Sequence, residues 1–152
     1  MPLKVLSPVS GHSLEVARVP DPVFSRGLVG PGVAVIPHAR PQTAVAPITG
    51  RLVKLLPHAF VVQSDCGAAA VLVHLGIDTV QMQGEGFTVR AAEDEVVEAG
   101  APIVDWDPGS VQRSGRSAAC AVVVLDRDAS ALGSITVDTD VTTEDTLFEV
   151  RC

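Results

Sequence analysis

Two of the chain's four histidines, His58 and His74, stand at the edges of neighbouring apolar runs within the stretch Pro57–Gly86. A neutral imidazole, with an ordinary pKa of about 6.5, is a nucleophile, a proton carrier and a metal ligand at neutral pH. His74 follows Val71-Leu72-Val73 and precedes Gly76-Ile77-Asp78-Thr79, so a strand would end at the ring and a corner with exposed backbone amides would follow. If the two imidazoles meet, they form either a nucleophile with a helper or, with an Asp, the beginning of a zinc site. Taken singly, His74 reads as a core histidine satisfied by one backbone bond, and His58 as a turn histidine after Pro57. His12 and His38 lie in polar, turn-like surroundings and are expected at the surface.

These side chains must be held by short strands. Leu3–Leu6, Ser13–Val19, Val33–Ile36, Thr43–Ala46, Arg51–Leu56, Ala59–Gln63 and Ala70–Leu75 are β-branched or alternating runs. Pro20-Asp21-Pro22, Gly30-Pro31-Gly32 and Pro47-Ile48-Thr49-Gly50 separate several of them. Thr79–Gln83, Phe87–Arg90, Pro102–Trp106, Cys120–Leu125, Ser134–Val137 and Leu147–Arg151 continue the pattern. Val23–Val29 reads as a loop with one helical turn. Asp107–Gly115 predicts a short helix, with Asp107 as cap, Pro108 at the first position and Gly115 as stop. Ala91–Ala99 fits helix and strand equally. The expectation is all-β: an antiparallel β-sandwich of the barrel-sandwich type, one domain over 1–152, with at most one or two short helical turns.

Composition narrows the function. Hydrophobic content of 47% against 19% charged residues marks a globular chain. A net charge of −7, with only Lys4 and Lys54 as lysines and the arginines scattered, argues against nucleic acid as partner. No apolar run approaches the roughly 20 residues of a membrane span, and the N-terminus lacks a signal-peptide core. A cytoplasmic protein without direct membrane insertion is expected. Cys66, Cys120 and Cys152 show no CxxC spacing and are read as reduced thiols.

Several motifs then fall in one order: Ser7-Pro8-Val9-Ser10-Gly11, Val19-Pro20-Asp21-Pro22-Val23-Phe24, Gly30-Pro31-Gly32-Val33-Ala34 and Ala46-Pro47-Ile48-Thr49-Gly50. They continue through His58-Ala59-Phe60, Val73-His74-Leu75-Gly76-Ile77-Asp78-Thr79-Val80 and Gly84-Glu85-Gly86-Phe87. In this order, from about Ser7 to Val124, the chain resembles the glucose-type IIA component of the bacterial phosphoenolpyruvate:sugar phosphotransferase system. The resemblance implies an antiparallel β-sandwich and a phosphocarrier. In that reading His74 takes a phosphoryl group from phospho-HPr, as a tele-phosphohistidine, and passes it to the IIB domain of a glucose or N-acetylglucosamine type permease. His58 matches the histidine that steadies the transferring group. Asp21 and Asp78 match acidic positions that meet basic partner side chains, and Val23, Phe24, Leu28, Val29, Leu72 and Val80 match an apolar docking rim. No cofactor is implied; some relatives also regulate metabolic enzymes or transporters. A free-standing component without a fused permease is expected.

The chain departs from the family pattern at three places. Leu56-Pro57 leads directly into His58 without the usual Thr. The segment Gly67–Val71 is one residue longer, an excess that a β-bulge would absorb. Cys120-Ala121 replaces Thr-Pro before the Val-Val-Val run. Asp21 alternatively caps a turn between two prolines, and Asp78 is alternatively an Asx-turn residue. Competing functions are a zinc hydrolase with Zn at His58 and His74, a biotinyl or lipoyl carrier, and a regulatory binder of the same fold. The first would want a His-x-His pair, and the second a lysine context that Lys4 and Lys54 lack.

Overall fold

The computed structural model describes residues 2–26, 29–67 and 69–151. Fourteen strands, β1 (Pro2–Leu6), β2 (Gly11–Glu15), β3 (Gly32–Pro37), β4 (Gln42–Val45), β5 (Gly50–Leu56), β6 (Ala59–Ser64), β7 (Ala70–Leu75), β8 (Phe87–Val89), β9 (Val96–Val97), β10 (Pro102–Trp106), β11 (Cys120–Val124), β12 (Leu132–Gly133), β13 (Asp140–Val141) and β14 (Thr146–Arg151), form antiparallel sheets. The largest sheet runs β13-β2-β3-β11-β7-β6-β5-β9; β1-β14-β12 and β4-β10-β8 form two smaller ones. Among the described residues there are also two short helices, α1 (Pro22–Ser25) and α2 (Pro108–Arg113), and three 3₁₀ turns. The all-β expectation holds. No helix among the described residues is long and apolar enough to cross a membrane.

Period-two alternation gives the large sheet two different faces. Val71, Val73 and Leu75 of β7 point with Val33, Val35, Cys120, Val122 and Phe60 into the main core. Each of the three β7 side chains is completely buried and contributes roughly 2 kcal/mol. The intervening residues face the other way. Leu72 joins Leu14, Ala34, Ala121, Val123, Ile77, Val19 and Phe24 in a second, smaller cluster on the outer face. His74 shares that parity. The strand that presents the candidate nucleophile is therefore anchored by its other side.

The expected Thr79–Gln83 strand is instead a 3₁₀ turn over Thr79–Met82, entered from Asp78 at φ 60° and left at Gln83 at φ 54°. Two left-handed residues five apart cannot lie in a strand, and the Thr79 hydroxyl donates to the Leu75 carbonyl at 2.7 Å, folding the chain back. Ser134–Val137 is not a strand; Ser134 at φ 52° and Asp138 at φ 59° break the extended run. Ser13–Val19 splits after Glu15 into strand and 3₁₀ turn. The expected bulge between the histidines is also absent. β6 and β7 pair without a register shift from Ala59↔His74 to Gln63↔Ala70, so the extra length lies in the connecting loop. In that loop Cys66 is disulfide-bonded, contrary to the reduced-thiol reading, because sequence spacing does not limit which distant thiols pair. Cys120 is a free core thiol whose ionisation burial suppresses.

Candidate functional site

His74 occupies the penultimate position of β7, opposite Ala59 on one side and Ala121 on the other. Residues directly opposite in antiparallel pairs share a face. The row Ala59, His74, Ala121, Ala34, Leu14 thus crosses five strands on the outer face. Small neighbours on both sides leave the imidazole room to stand clear of the sheet. Ala121, one of the departures from the family pattern, is one of these two neighbours.

His58 reaches the same place by another route. Pro57 and His58 form the turn between β5 and β6, closed by the Leu56↔Ala59 pair. The fixed φ of Pro57 suits such a turn, and Gly84 packs against its ring, with a Cβ there 3.4 Å from Pro57 Cγ. The His58 carbonyl accepts the Leu75 amide at 2.8 Å, tying the turn to the end of β7. The two rings meet edge to face, centroids 5.3 Å apart at 73°. His58 is 8% exposed.

Phe24 covers the third side, its ring centroid 5.3 Å from that of His74. It is carried by α1, one turn that would not persist alone. The Asp21 carboxylate caps that turn by accepting the Val23 amide at 2.9 Å, Pro22 occupies the first position, and Phe24 anchors it at 5% exposure. Phe24 therefore packs against the imidazole, the two ring planes tilted by 57°, rather than facing outward. Val23 and Val80 are 46% and 61% exposed, and Leu72 and Val29 are half-buried. Leu28 lies outside the described residues.

The corner after β7 fixes the tautomer. His74 Nδ1 is 2.6 Å from the Gly76 carbonyl oxygen. A carbonyl can only accept, so Nδ1 carries the proton and Nε2 keeps its lone pair. Gly76 is required at φ +80°: a Cβ would stand 2.6 Å from Thr79 Cγ2 and 3.1 Å from the Ser117 carbonyl oxygen. Gly76→Ala is expected to cost about 2 kcal/mol, read as a lowered urea midpoint; an unchanged midpoint would show that the corner tolerates a side chain.

Both rings favour the neutral form. Burial, and then the charge of His74, holds His58 below its ordinary value of 6.5. Burial also lowers His74, opposed by the Gly76 carbonyl and by the carboxylates of Asp21 and Asp78. The unfolded chain therefore binds more protons than the folded one at mildly acidic pH. The stability tied to these rings is complete above their ordinary pKa of about 6.5 and is lost as pH falls through and below it. The urea midpoint is expected to drop between about pH 7.5 and about pH 5.5, and to drop less in a His58→Gln/His74→Gln variant. Equal slopes would show that the pair titrates alike folded and unfolded.

Among the described residues, no group of three or more His, Cys, Asp or Glu side chains converges to hold a metal. With His74 Nδ1 committed to Gly76, the pair offers one remaining nitrogen of His74 and those of His58, short of a tetrahedral protein set. His12 and His38 are exposed and remote from the pair; His12 Nδ1 lies 3.0 Å from Asp140.

A family model described as phosphoenolpyruvate-dependent sugar phosphotransferase system, EIIA 1, matches residues 3–130. The glucose-specific EIIA component of Halalkalibacterium halodurans is 35% identical over 130 residues, 84% of this chain and 73% of that protein. The glucose-specific EIIBCA component of Corynebacterium glutamicum is 35% identical over 133 residues, 88% of this chain. This chain spans only 19% of that longer protein. The structure of the glucose permease IIA from Mycoplasma capricolum superposes with a TM-score of 0.91 at 30% identity, covering 99% of this chain and 97% of that one. The chain belongs to the family of EIIA components of the phosphoenolpyruvate-dependent sugar phosphotransferase system.

Proposed function

We propose that this chain is a phosphocarrier that takes a phosphoryl group from phospho-HPr on His74 Nε2 and hands it to the IIB domain of a sugar permease. The observation that carries the reading is the pairing of a tautomerically fixed imidazole with a second imidazole 5.3 Å away. Nε2 attacks phosphorus while the donor's N–P bond breaks, and no proton has to leave, because the attacking nitrogen bears none. The phosphorylated ring carries positive charge on its nitrogens. The Gly76 carbonyl at Nδ1–H and the nearby charges of Asp21 and Asp78 favour that cation, as they favour the protonated ring.

His58 supplies an N–H toward the phosphoryl oxygens and aligns the group for departure, since phosphoryl transfer asks a protein chiefly for alignment and charge stabilisation. Phe24 packs against the His74 ring, Leu72 lies on the same face of the sheet, and Val23 and Val80 are exposed apolar side chains. A docked partner that covers these side chains would exclude water, directing the phosphoryl group to protein. Asp21 and Asp78 would meet basic side chains of the partners. The step uses protein groups alone and needs no resident cofactor; zinc at the pair would compete for the Nε2 lone pair. Fusion of IIA-type sequence to further components in the Corynebacterium glutamicum EIIBCA protein supports a IIB domain as recipient.

Incubation with phosphoenolpyruvate, enzyme I and HPr is expected to place one acid-labile phosphate on the chain. A chain that stays unlabelled under conditions that phosphorylate HPr would end this reading.

A further inference from the structure

At the edge of the second cluster, where Val16 packs against it, lies a cavity of about 530 Å³. Its apolar lining includes Val16, Pro31, Leu132 and Ile135, and its charged lining is Arg26, Arg127 and Asp128. Among the described residues, none placed at the histidine site lines it. The wall from Arg127 to Ile135 is tied down along its length. Arg127 Nη1 donates to the Arg151 carbonyl at 2.9 Å, Leu132 pairs with Val150, and the Thr136 amide donates to the Leu147 carbonyl at 2.7 Å. The cavity is thus held open by the fold. Within it Ile135 is 53% exposed, an apolar side chain with no cover. Arg26 is exposed at the end of α1, where its backbone amide donates to the Pro22 carbonyl at 3.1 Å. Its guanidinium has no carboxylate within ion-pairing distance among the described residues, unlike those of Arg18, Arg90 and Arg113. The Asp128 carboxylate is engaged in its own turn, accepting the Ser130 amide at 3.0 Å and the Ser130 hydroxyl.

We propose that this cavity binds a small organic monocarboxylate with an apolar body, a medium-chain carboxylate. Its charged end pairs with Arg26, and its hydrocarbon lies against Val16, Leu132 and Ile135. The volume falls within the range of about 300–1,000 Å³ usual for small-molecule sites, and a mostly apolar lining with few polar groups is their usual make-up. Charge selects the head group. The whole chain carries −7, yet this cavity holds two arginines against one aspartate, a single net positive charge that matches a monoanion. An accessible, unpaired guanidinium presents a fork of N–H donors that fits a carboxylate. A dianion such as a phosphate monoester would bring its second charge against Asp128. The uncovered Ile135 supplies apolar area that a hydrocarbon chain removes from water. The proposal does not depend on the phosphocarrier reading and concerns a different part of the surface.

The test is titration of the unphosphorylated chain with octanoate, followed by calorimetry and by backbone amide NMR shifts. Saturable binding of one octanoate with a Kd of about 1 mM or tighter is expected. The largest shifts should fall at Ser25, Arg26, Gly32 and Ile135, which line the cavity. Acetate keeps the charge without the body, and octanol keeps the body without the charge; each should bind about tenfold or more weakly. Arg26→Gln should weaken octanoate about tenfold and leave octanol unchanged, Arg26→Lys should recover part of that loss, and Ile135→Ser should weaken both ligands. Urea midpoints near that of the wild type would show that these surface variants remain folded. Octanoate that does not saturate, octanol that binds as tightly, or a folded Arg26→Gln that binds octanoate like the wild type would each overturn the proposal. Shifts centred on Val23, Val80 and His74 would put the octanoate on the docking rim and overturn it too. Tighter binding of octyl phosphate would replace the monocarboxylate by a dianion. Association with anionic phospholipid vesicles in the absence of octanoate binding would make the occupant a membrane; either result also ends the proposal.

Discussion

His74→Ala is expected to abolish labelling by phospho-HPr, to below about one-thousandth of the wild-type rate, because the nitrogen proposed to bond phosphorus is removed. The structure separates this loss from unfolding. His74 lies on the outer face of β7, opposite Ala59 and Ala121, whereas the core side of the strand is carried by Val71, Val73 and Leu75. An alanine at position 74 continues a row already built from alanines. The far-ultraviolet spectrum should be unchanged and the urea midpoint nearly so. His74→Gln, which fills more of the space beside Phe24 but lacks a nucleophilic nitrogen, should be equally unlabelled. Label retained on either variant would mean that the phosphoryl group sits elsewhere.

His58→Ala is expected to separate the two half-reactions. With excess phospho-HPr, acceptance still runs to completion, because Nε2 and the Gly76 bond that fixes the tautomer are intact. Onward transfer to the IIB domain should slow by about a hundredfold, the usual scale for losing one positioned donor in the transition state. His58 is suited to this part by its place beside the neighbouring imidazole, the two ring centroids 5.3 Å apart at 73°. His58→Gln restores an N–H donor without an imidazole and should recover part of the rate. Wild-type onward transfer from His58→Ala would show that the second histidine is dispensable, and failure of acceptance would assign it to the first step as well.

The sequence conveyed most of what places the two histidines, and its failures have local causes. β6, β7 and α2 were legible because apolar alternation, an unbroken β-branched run and the Asp107-Pro108 start are strong local signals. Thr79–Met82 was misread because Thr and Val favour strands, while the turn is bounded by Asp78 and Gln83 in left-handed conformations, of which only the Asp offers a sequence signal. β9, β12 and β13 are two-residue pairings that no periodicity reveals. Phe24 was matched to a docking rim through the family resemblance; only the packing of α1 shows that it turns inward against His74.

The alternation along β7 has a consequence for how such a protein can change. Odd-numbered positions in this strand hold the sheet together, and even-numbered positions meet the outside. Drift at Leu72, or at Ala59 and Ala121 across from His74, can remodel the surroundings of the nucleophile while the foundation beneath it stays constant. Adaptation to a new permease is then a matter of every second residue.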